Sequence, residues 1–128
     1  MEIAHLGVVV ADLDEAIRLW CDGLGGSLKW RKTYLPENAE IALVKVGDLP
    51  VELLQPTGEG ALSKFLEKRG GGMHHLAFRS QDPSTLEREI VDAGGIVLEE
   101  TRQDGAEGKG ALFFHPKSTG GILMEITG

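Results

Sequence analysis

The sequence is poor in cysteine, with Cys21 as the single example among 128 residues. One cysteine cannot close an internal disulfide, so a disulfide-stabilised secreted scaffold is excluded and a reducing compartment is favoured. Long apolar runs are also missing, because no stretch approaches the roughly 20 residues that a membrane-spanning helix requires. The segment MEIAHLGVVV lacks the basic region and long apolar run of a signal peptide. We therefore expect a cytoplasmic protein that does not bind membranes.

Positive charge is scarce as well, since 13 Lys and Arg stand against 20 Asp and Glu, for a formal net charge of −7. Binding to nucleic-acid phosphates requires a basic face, so this balance argues against a nucleic-acid partner. The net negative charge does not exclude a phosphorylated small molecule that binds to a local basic cluster. Hydrophobic residues make up 41% of the chain and charged residues 26%, which is typical of a single globular domain.

The most informative positive feature is an internal repeat with a spacing of about 70 residues. His5 and His75 are 70 positions apart, and so are Asp12 and Asp82. In each half, a β-branched apolar run precedes an amphipathic helix pattern, and three further apolar segments follow. The order of these segments therefore predicts a βαβββ module in each half of the chain. We expect an α+β fold in which two pseudo-symmetric modules form a curved mixed sheet around a metal site.

The predicted elements follow from apolar periodicity, capping residues and turn residues. Predicted helices cover 12–26, 61–72 and 82–95, with Asp12 and Asp82 as N-caps and glycines at the carboxyl ends. Predicted strands cover 4–10, 27–34, 41–46, 51–54, 74–80, 96–100, 111–115 and 122–127. We assign residues 1–128 to one domain, with module one at about 1–60, a linker helix at about 61–70 and module two at about 71–128.

The stretch GGGMHHLAF, residues 70–78, places two histidines where side chains alternate between the faces of a strand. In the repeat, His75 corresponds to His5, so we predict that His75 points inward and His74 outward. The last strand of each module carries an acid, Glu52 in VELL and Glu125 in LMEI. His and Glu thus recur in the same order on equivalent strands.

Each of these residues has an ordinary explanation when taken alone. A strand histidine usually belongs to the surface or the core, and a strand glutamate usually faces solvent. A carboxylate among apolar neighbours, however, costs several kcal/mol without a partner, and two imidazoles with two carboxylates suit a divalent ion. We therefore predict His5, Glu52, His75 and Glu125 as metal ligands. Nitrogen and oxygen donors fit Co, Mn, Ni, Fe or Zn, and cobalt is our first choice.

Four stretches carry a family resemblance that runs from residue 3 to residue 127: HLGVVVADLDEAI, VELLQP, KFLEKRGGGMHHLAF and HPKSTGGILMEI. The chain resembles the vicinal oxygen chelate superfamily, and HPKSTGG followed by an apolar-Glu strand resembles its methylmalonyl-CoA epimerase branch. The resemblance implies paired βαβββ modules, a homodimer and a divalent metal at the four residues named above. It also implies an acyl-CoA thioester substrate, methylmalonyl-CoA, whose (2R) and (2S) forms interconvert by α-proton abstraction through an enolate.

Inversion at the α-carbon needs one group that removes the proton and another that returns it on the opposite face. Within the resemblance, Glu125 and Glu52 are the predicted catalytic pair, each combining weak metal ligation with proton transfer. Some family members carry a Gln where Glu52 stands and an acid at the position that aligns with Ala42. Glu40, two residues away on the same strand face, is therefore either an alternative second base or an exposed charge at a strand edge.

The loop HPKSTGG supplies the predicted substrate contacts, Lys117 and Ser118. Lys117 either meets the substrate carboxylate or is a solvated surface lysine, and His115 is expected to shape the loop rather than bind metal. Cations for the CoA phosphates are expected on the 61–72 helix, although a basic cluster on a helix is usually its solvated face. These candidates are Lys64, Lys68 and Arg69.

Three other functions fit parts of the pattern. A glyoxalase-I-type isomerase would share the fold and the His/Glu set but act on a glutathione hemithioacetal, and the HPKSTGG loop disfavours it. An extradiol dioxygenase uses iron with two His and one carboxylate, so Glu52 as a fourth ligand disfavours it. A non-catalytic small-molecule-binding relative, such as an antibiotic-sequestering protein, has no need of the metal ligands.

Overall fold

The structure of this protein, a computed structural model, describes residues 1–103 and 110–128. These residues divide into two compact units. The first unit comprises His5–His74, and the second comprises Met1–Ala4 together with His75–Gly128. Among the described residues, no helix is long and apolar enough to cross a membrane.

The first unit contains a four-stranded mixed sheet and two helices. Its elements are β1 (Glu2–Val9), α1 (Leu13–Arg18), β2 (Ser27–Tyr34), β3 (Ala39–Val46), β4 (Leu49–Pro56) and α2 (Ala61–Arg69). The strand order is β2-β3-β4-β1, with β1 and β4 parallel and the other neighbouring pairs antiparallel. The first three residues of β1 belong to the second unit, and the strand continues into the first.

The second unit repeats this arrangement. Its elements are β5 (Gly72–Arg79), α3 (Pro83–Asp92), β6 (Val97–Gln103), β7 (Ala111–Phe114) and β8 (Met124–Thr127). The strand order is β5-β8-β7-β6, with β5 and β8 parallel and the other neighbouring pairs antiparallel. The predicted α+β class, the two βαβββ modules and the mixed sheets are confirmed, whereas the single-domain assignment with bounds near 60 and 70 stays a prediction.

The first and third helices begin where their capping residues predict. The Asp12 carboxylate accepts a hydrogen bond from Glu15 N at 3.0 Å, and the Asp82 carboxylate accepts one from Thr85 N at 3.2 Å. Both N-caps are thus confirmed. The prediction of a continuous helix over 12–26 is wrong in its second part, because a turn of π-helix follows α1 at Leu19–Gly23.

Each sheet packs one face against a helix of its own unit. The buried cluster of the first unit comprises Leu13, Ala42, Val44, Val51 and Leu53. That of the second unit comprises Leu112, Phe114 and Ile126, with Leu86 and Ile90 of α3 packed against it. Because strand side chains alternate between faces, Glu52 and Glu125, which adjoin these core residues in sequence, point to the opposite face of each sheet.

A glycine is required just before β5. Gly71 has a φ of +104°, and a Cβ at this position would lie 2.8 Å from the Val9 carbonyl oxygen. L side chains rarely adopt this backbone conformation, and the contact with a backbone atom leaves no room for one. The glycine run therefore sets the entry of the chain into the strand that carries His74 and His75.

Candidate active site

In the first unit, the parallel strands β1 and β4 bring one histidine and one glutamate together. Gly7 of β1 is paired with Glu52 of β4, and His5, two residues earlier on β1, points to the same side. His5 Nε2 lies 3.6 Å from Glu52 Oε1. Both residues are buried, with 6% of His5 and 4% of Glu52 exposed.

In the second unit, β5 and β8 produce the same pair. Ala77 of β5 is paired with Glu125 of β8, and His75 lies two residues before Ala77. His75 Nε2 is 3.2 Å from Glu125 Oε1, and both residues are buried. The His75 ring also contacts Phe113 of β7 edge to face, with 5.5 Å between the ring centroids.

The two pairs have the same strand register. In each unit, the residue two positions after the histidine is paired with the glutamate of the neighbouring parallel strand. The internal repeat predicted from sequence therefore extends to the paired side chains. The predicted burial of His75 is confirmed.

His74 points to the side of β5 opposite to His75, as strand alternation predicts. It is half-buried rather than fully solvated, because its ring packs edge to face on Phe65 of α2 at a centroid distance of 4.9 Å. Burial lowers the pKa of His74 from 6.5 to about 4, since the charged imidazole would lose hydration. His74 is therefore a neutral packing residue near pH 7.

The donor atoms of each pair fit a divalent metal ion. Imidazole nitrogen and carboxylate oxygen are common ligands of first-row divalent ions, and bonds of about 2.1 Å separate neighbouring donor atoms by roughly 3.0–3.4 Å. The observed separations of 3.2 Å and 3.6 Å lie close to this range. A buried carboxylate also needs a positive or hydrogen-bonding partner, and a bound cation would supply one to each glutamate.

Comparison with known proteins places the chain in a family. Residues 4–113 match the sequence model of the Glyoxalase/Bleomycin resistance protein/Dioxygenase superfamily. The chain belongs to this superfamily. The resemblance inferred from the sequence motifs is thereby confirmed.

Members of this superfamily that resemble the chain over nearly its whole length include methylmalonyl-CoA epimerases. The ethylmalonyl-CoA/methylmalonyl-CoA epimerase of Cereibacter sphaeroides is 31% identical over 125 residues, which cover 95% of this chain and 93% of that protein. The crystal structure of methylmalonyl-CoA epimerase from Mycobacterium tuberculosis is 33% identical, with a TM-score of 0.89 and coverage of 98% and 86% of the two chains. A variant of the Streptomyces coelicolor methylmalonyl-CoA epimerase, in complex with 2-nitronate-propionyl-CoA, is 29% identical, with a TM-score of 0.89 and coverage of 98% and 92%.

In this superfamily member, Glu40 does not share a sheet face with Glu52. The β3 residue paired with Glu52 is Leu43, whereas Ala42 is buried in the cluster that packs against α1. Glu40 lies on the side of Ala42, where its Oε1 accepts a hydrogen bond from Arg31 Nε at 2.9 Å. The alternative in which Glu40 is the second base is therefore wrong, because strand alternation turns it to the other side of the sheet. Glu52 remains the candidate.

The HPKSTGG loop is held by its own polar side chains. His115 Nδ1 accepts a hydrogen bond from Lys117 N at 3.1 Å, so the prediction that His115 shapes the loop is confirmed. The Ser118 hydroxyl donates to the His115 carbonyl at 2.7 Å and accepts from Ile96 N at 2.9 Å. Lys117 is exposed. Substrate binding by Lys117 and Ser118 stays a prediction.

The basic residues of α2 are all exposed, namely Lys64, Lys68 and Arg69. The Arg69 guanidinium lies over the Phe65 ring at 5.6 Å from its centroid. This arrangement is typical of the solvated face of a helix. Binding of CoA phosphates at these positions remains a prediction.

Sequence reasoning did not single out two residues that share the sheet face of Glu52. Trp30 and Lys32 of β2 are half-buried on that face. The available signal was the alternation in LKWRKTY, which separates Arg31 from its two neighbours. That alternation alone does not reveal which set faces the glutamate.

Proposed function

We propose that this protein is a metal-dependent epimerase that interconverts (2R)- and (2S)-methylmalonyl-CoA. The observation that carries the proposal is the buried His–Glu pair, present in equivalent register in both units. The homologous epimerases support an acyl-CoA thioester with a 2-substituted malonyl group as the substrate class.

The proposed ligands of one divalent ion are His5, Glu52, His75 and Glu125. All four are buried, and His5, His75 and Glu125 each present one donor atom suited to a metal ion. Cobalt is the favoured ion, with manganese, nickel, zinc and iron as competitors for the same donor types. When bound, such an ion supplies Lewis-acid chemistry that stabilises negative charge developing on a substrate oxygen.

Glu125 and Glu52 are the proposed proton-transfer groups. One carboxylate removes the α-proton, and the C–H electron pair moves onto the thioester carbonyl to give an enolate. The other carboxylic acid then returns a proton to the opposite face of the same carbon, which inverts its configuration. Proton transfer by a positioned carboxylate is typically worth about 10²–10⁴ in rate, so both glutamates are expected to matter.

Lys117 and Ser118 are proposed to contribute to substrate binding from the HPKSTGG loop. The Ser118 hydroxyl is engaged in holding the loop, so its contribution is expected through loop shape. A homodimer, measurable by sedimentation, and a cytoplasmic location are further parts of the proposal.

The test is α-proton exchange of methylmalonyl-CoA in heavy water with the purified, metal-loaded protein. Exchange and interconversion of the two epimers are expected, and a chelator should abolish both until cobalt is added back. Metal content is measured in parallel on the same samples. A metal-loaded protein without exchange, or exchange that survives complete metal removal, contradicts the proposal.

A further inference from the structure

Two consecutive basic residues of β2 have opposite surroundings. Arg31 faces α1, where its Nε donates to Glu40 Oε1 at 2.9 Å and its guanidinium also forms an ion pair with Asp14. Two carboxylates therefore compensate the Arg31 charge. The Lys32 ammonium instead lies 4.5 Å from the centroid of the Trp30 ring. The ion pairs described within residues 1–103 and 110–128 do not involve Lys32.

A β-bulge sets the face on which these residues lie. Leu28 is paired with Val44 of β3, but Trp30 is paired with Leu43, so the strand contains an extra residue between them. A one-residue shift moves the following side chains to the other face. Without the bulge, Trp30 and Lys32 would point toward α1 with Leu28.

The register continues across the sheet to the glutamate. Trp30 is paired with Leu43, and Leu43 is paired in turn with Glu52 of β4. Residues directly opposite each other on neighbouring strands point to the same side. Trp30 and Glu52 therefore lie in one row on one face, separated by the apolar side chain of Leu43.

The distance across this row suits a small anion. Neighbouring strands are about 4.8 Å apart, so the Cα atoms of Trp30 and Glu52 are separated by roughly 10 Å. The Lys32 ammonium lies over the Trp30 ring and is therefore close to the row formed by Trp30, Leu43 and Glu52. Because the Glu52 and Lys32 side chains extend from the same face of the sheet, an anionic group bonded to a carbon atom at the Glu52 carboxylate can point across Leu43 toward the ammonium.

We infer that Lys32, positioned by the indole of Trp30, binds the free carboxylate of the 2-substituted malonyl thioester while its α-carbon lies at Glu52. This inference rests on the proposed function. Lys32 is a half-buried residue, and the aromatic face shields one side of its ammonium from water, which strengthens the attraction of the ammonium for an anion. Lys117 is exposed, so Lys32 is the better placed cation for this carboxylate.

The phosphates of CoA are the other anions of such a substrate. The extended pantetheine arm separates them from the thioester by more than the width of this row, so one cation cannot meet both groups when the α-carbon is at Glu52. Loss of Lys32 should therefore affect thioesters with a free carboxylate and spare those without one. This difference is the signature of the proposed contact.

The test compares Lys32→Met, which keeps an unbranched side chain beside Trp30 but removes the charge, with Lys32→Arg, which keeps a charged group that can stack on the Trp30 ring. Lys29→Met, at an exposed position of the same strand, is the matched control. Calorimetric Kd values are measured for methylmalonyl-CoA and propionyl-CoA, and α-proton exchange is measured for methylmalonyl-CoA. We expect Lys32→Met to weaken methylmalonyl-CoA binding by about 10- to 100-fold, with propionyl-CoA binding unchanged and with Lys32→Arg close to wild type.

Two results overturn the inference alone while wild-type exchange persists. One is a Lys32→Met variant that matches Lys29→Met, and the other is an equal loss for both thioesters, which would assign the lysine to a CoA phosphate. A wild-type protein that neither exchanges nor binds methylmalonyl-CoA overturns the proposed function together with this inference. Thermal unfolding of each variant verifies that the fold is retained.

Discussion

The His–Glu pairs of the two units share a register but have different neighbours. In the second unit, the β7 residue paired with Glu125 is Phe113, whose ring also contacts His75. In the first unit, the corresponding β3 residue paired with Glu52 is Leu43. The donor atoms are 3.2 Å apart in the second unit and 3.6 Å apart in the first. The backbone repeat thus copies the pair, while the surrounding side chains make the two copies unequal.

The strands beyond each pair differ as well. In the first unit, β2 pairs with β3 from Ser27 to Tyr34 and carries a bulge that turns Trp30 and Lys32 toward the glutamate face. In the second unit, the described pairing of β6 with β7 involves Val97, Leu98 and Gln103. The first unit thus carries the substrate contact proposed for Lys32, and the second carries an aromatic ring that contacts the histidine of its pair.

The largest expected effect comes from Glu125→Gln. The amide keeps an oxygen donor but cannot accept the α-proton, so we expect exchange of the epimer whose α-proton faces Glu125, and inversion of both epimers, to fall by about 10³–10⁴-fold. Heavy-water exchange on both epimers of methylmalonyl-CoA measures this loss, and metal analysis serves as the control for retained binding. A variant that holds metal and exchanges at the wild-type rate would show that Glu125 is not a base.

Glu52→Gln is expected to have a smaller effect that depends on the epimer. If each glutamate serves one face, this variant should still exchange the α-proton of one epimer through Glu125 while inversion falls by about 10²-fold. Deuterium incorporation and chiral analysis of the product, measured on each epimer separately, distinguish exchange from inversion. Full epimerase activity in Glu52→Gln contradicts a catalytic role for Glu52.

The site residues that could be predicted from sequence are those that strand alternation and the internal repeat identify without knowledge of how the strands pair. A 70-residue repeat combined with strand alternation singles out His5, His75, Glu52 and Glu125, and the structure shows them buried as one His–Glu pair in each unit. Their role as metal ligands stays a prediction. The orientation of Trp30 and Lys32 depends on a bulge, which arises from the pairing of β2 with β3 and has no local sequence signature. The Glu40 alternative fails for the same reason, because only the register shows that the side shared by Glu40 and Ala42 faces α1 and is opposite to Glu52.

The Phe113 ring, which contacts His75 of the second pair, predicts an intermediate effect of Phe113→Leu on stability and on metal binding. Loss of the edge-to-face contact with His75 should cost about 1 kcal/mol and weaken metal binding by about 10-fold, since outer contacts orient ligating imidazoles. The matched control is Phe114→Leu, because Phe114 is buried in the cluster that packs with α3. Unfolding and metal titration are measured on both variants. If Phe113→Leu and Phe114→Leu bind metal with equal affinity, the contact between Phe113 and His75 does not explain the difference between the two His–Glu pairs.

The smallest expected effect concerns the helix caps. Asp82 accepts hydrogen bonds from both Thr85 N, at 3.2 Å, and Thr85 Oγ1, at 2.6 Å, whereas Asp12 accepts one from Glu15 N at 3.0 Å. Asp82→Ala should therefore lower the Tm by a few degrees near pH 7, and by more than Asp12→Ala does.

The Asp82 contribution should also depend on pH with a defined sign. The hydrogen bonds from the Thr85 side chain and backbone hold the pKa of Asp82 below its ordinary value of 3.8. For a carboxylate with a lowered folded-state pKa, the stabilisation is complete above the unfolded value and is lost as pH falls through the folded one. The Tm difference between wild type and Asp82→Ala should hence be constant from pH 7 to about 5 and shrink at lower pH. A difference that persists undiminished in strong acid would mean that the carboxylate charge does not stabilise α3, and that the two caps differ only in the number of hydrogen bonds.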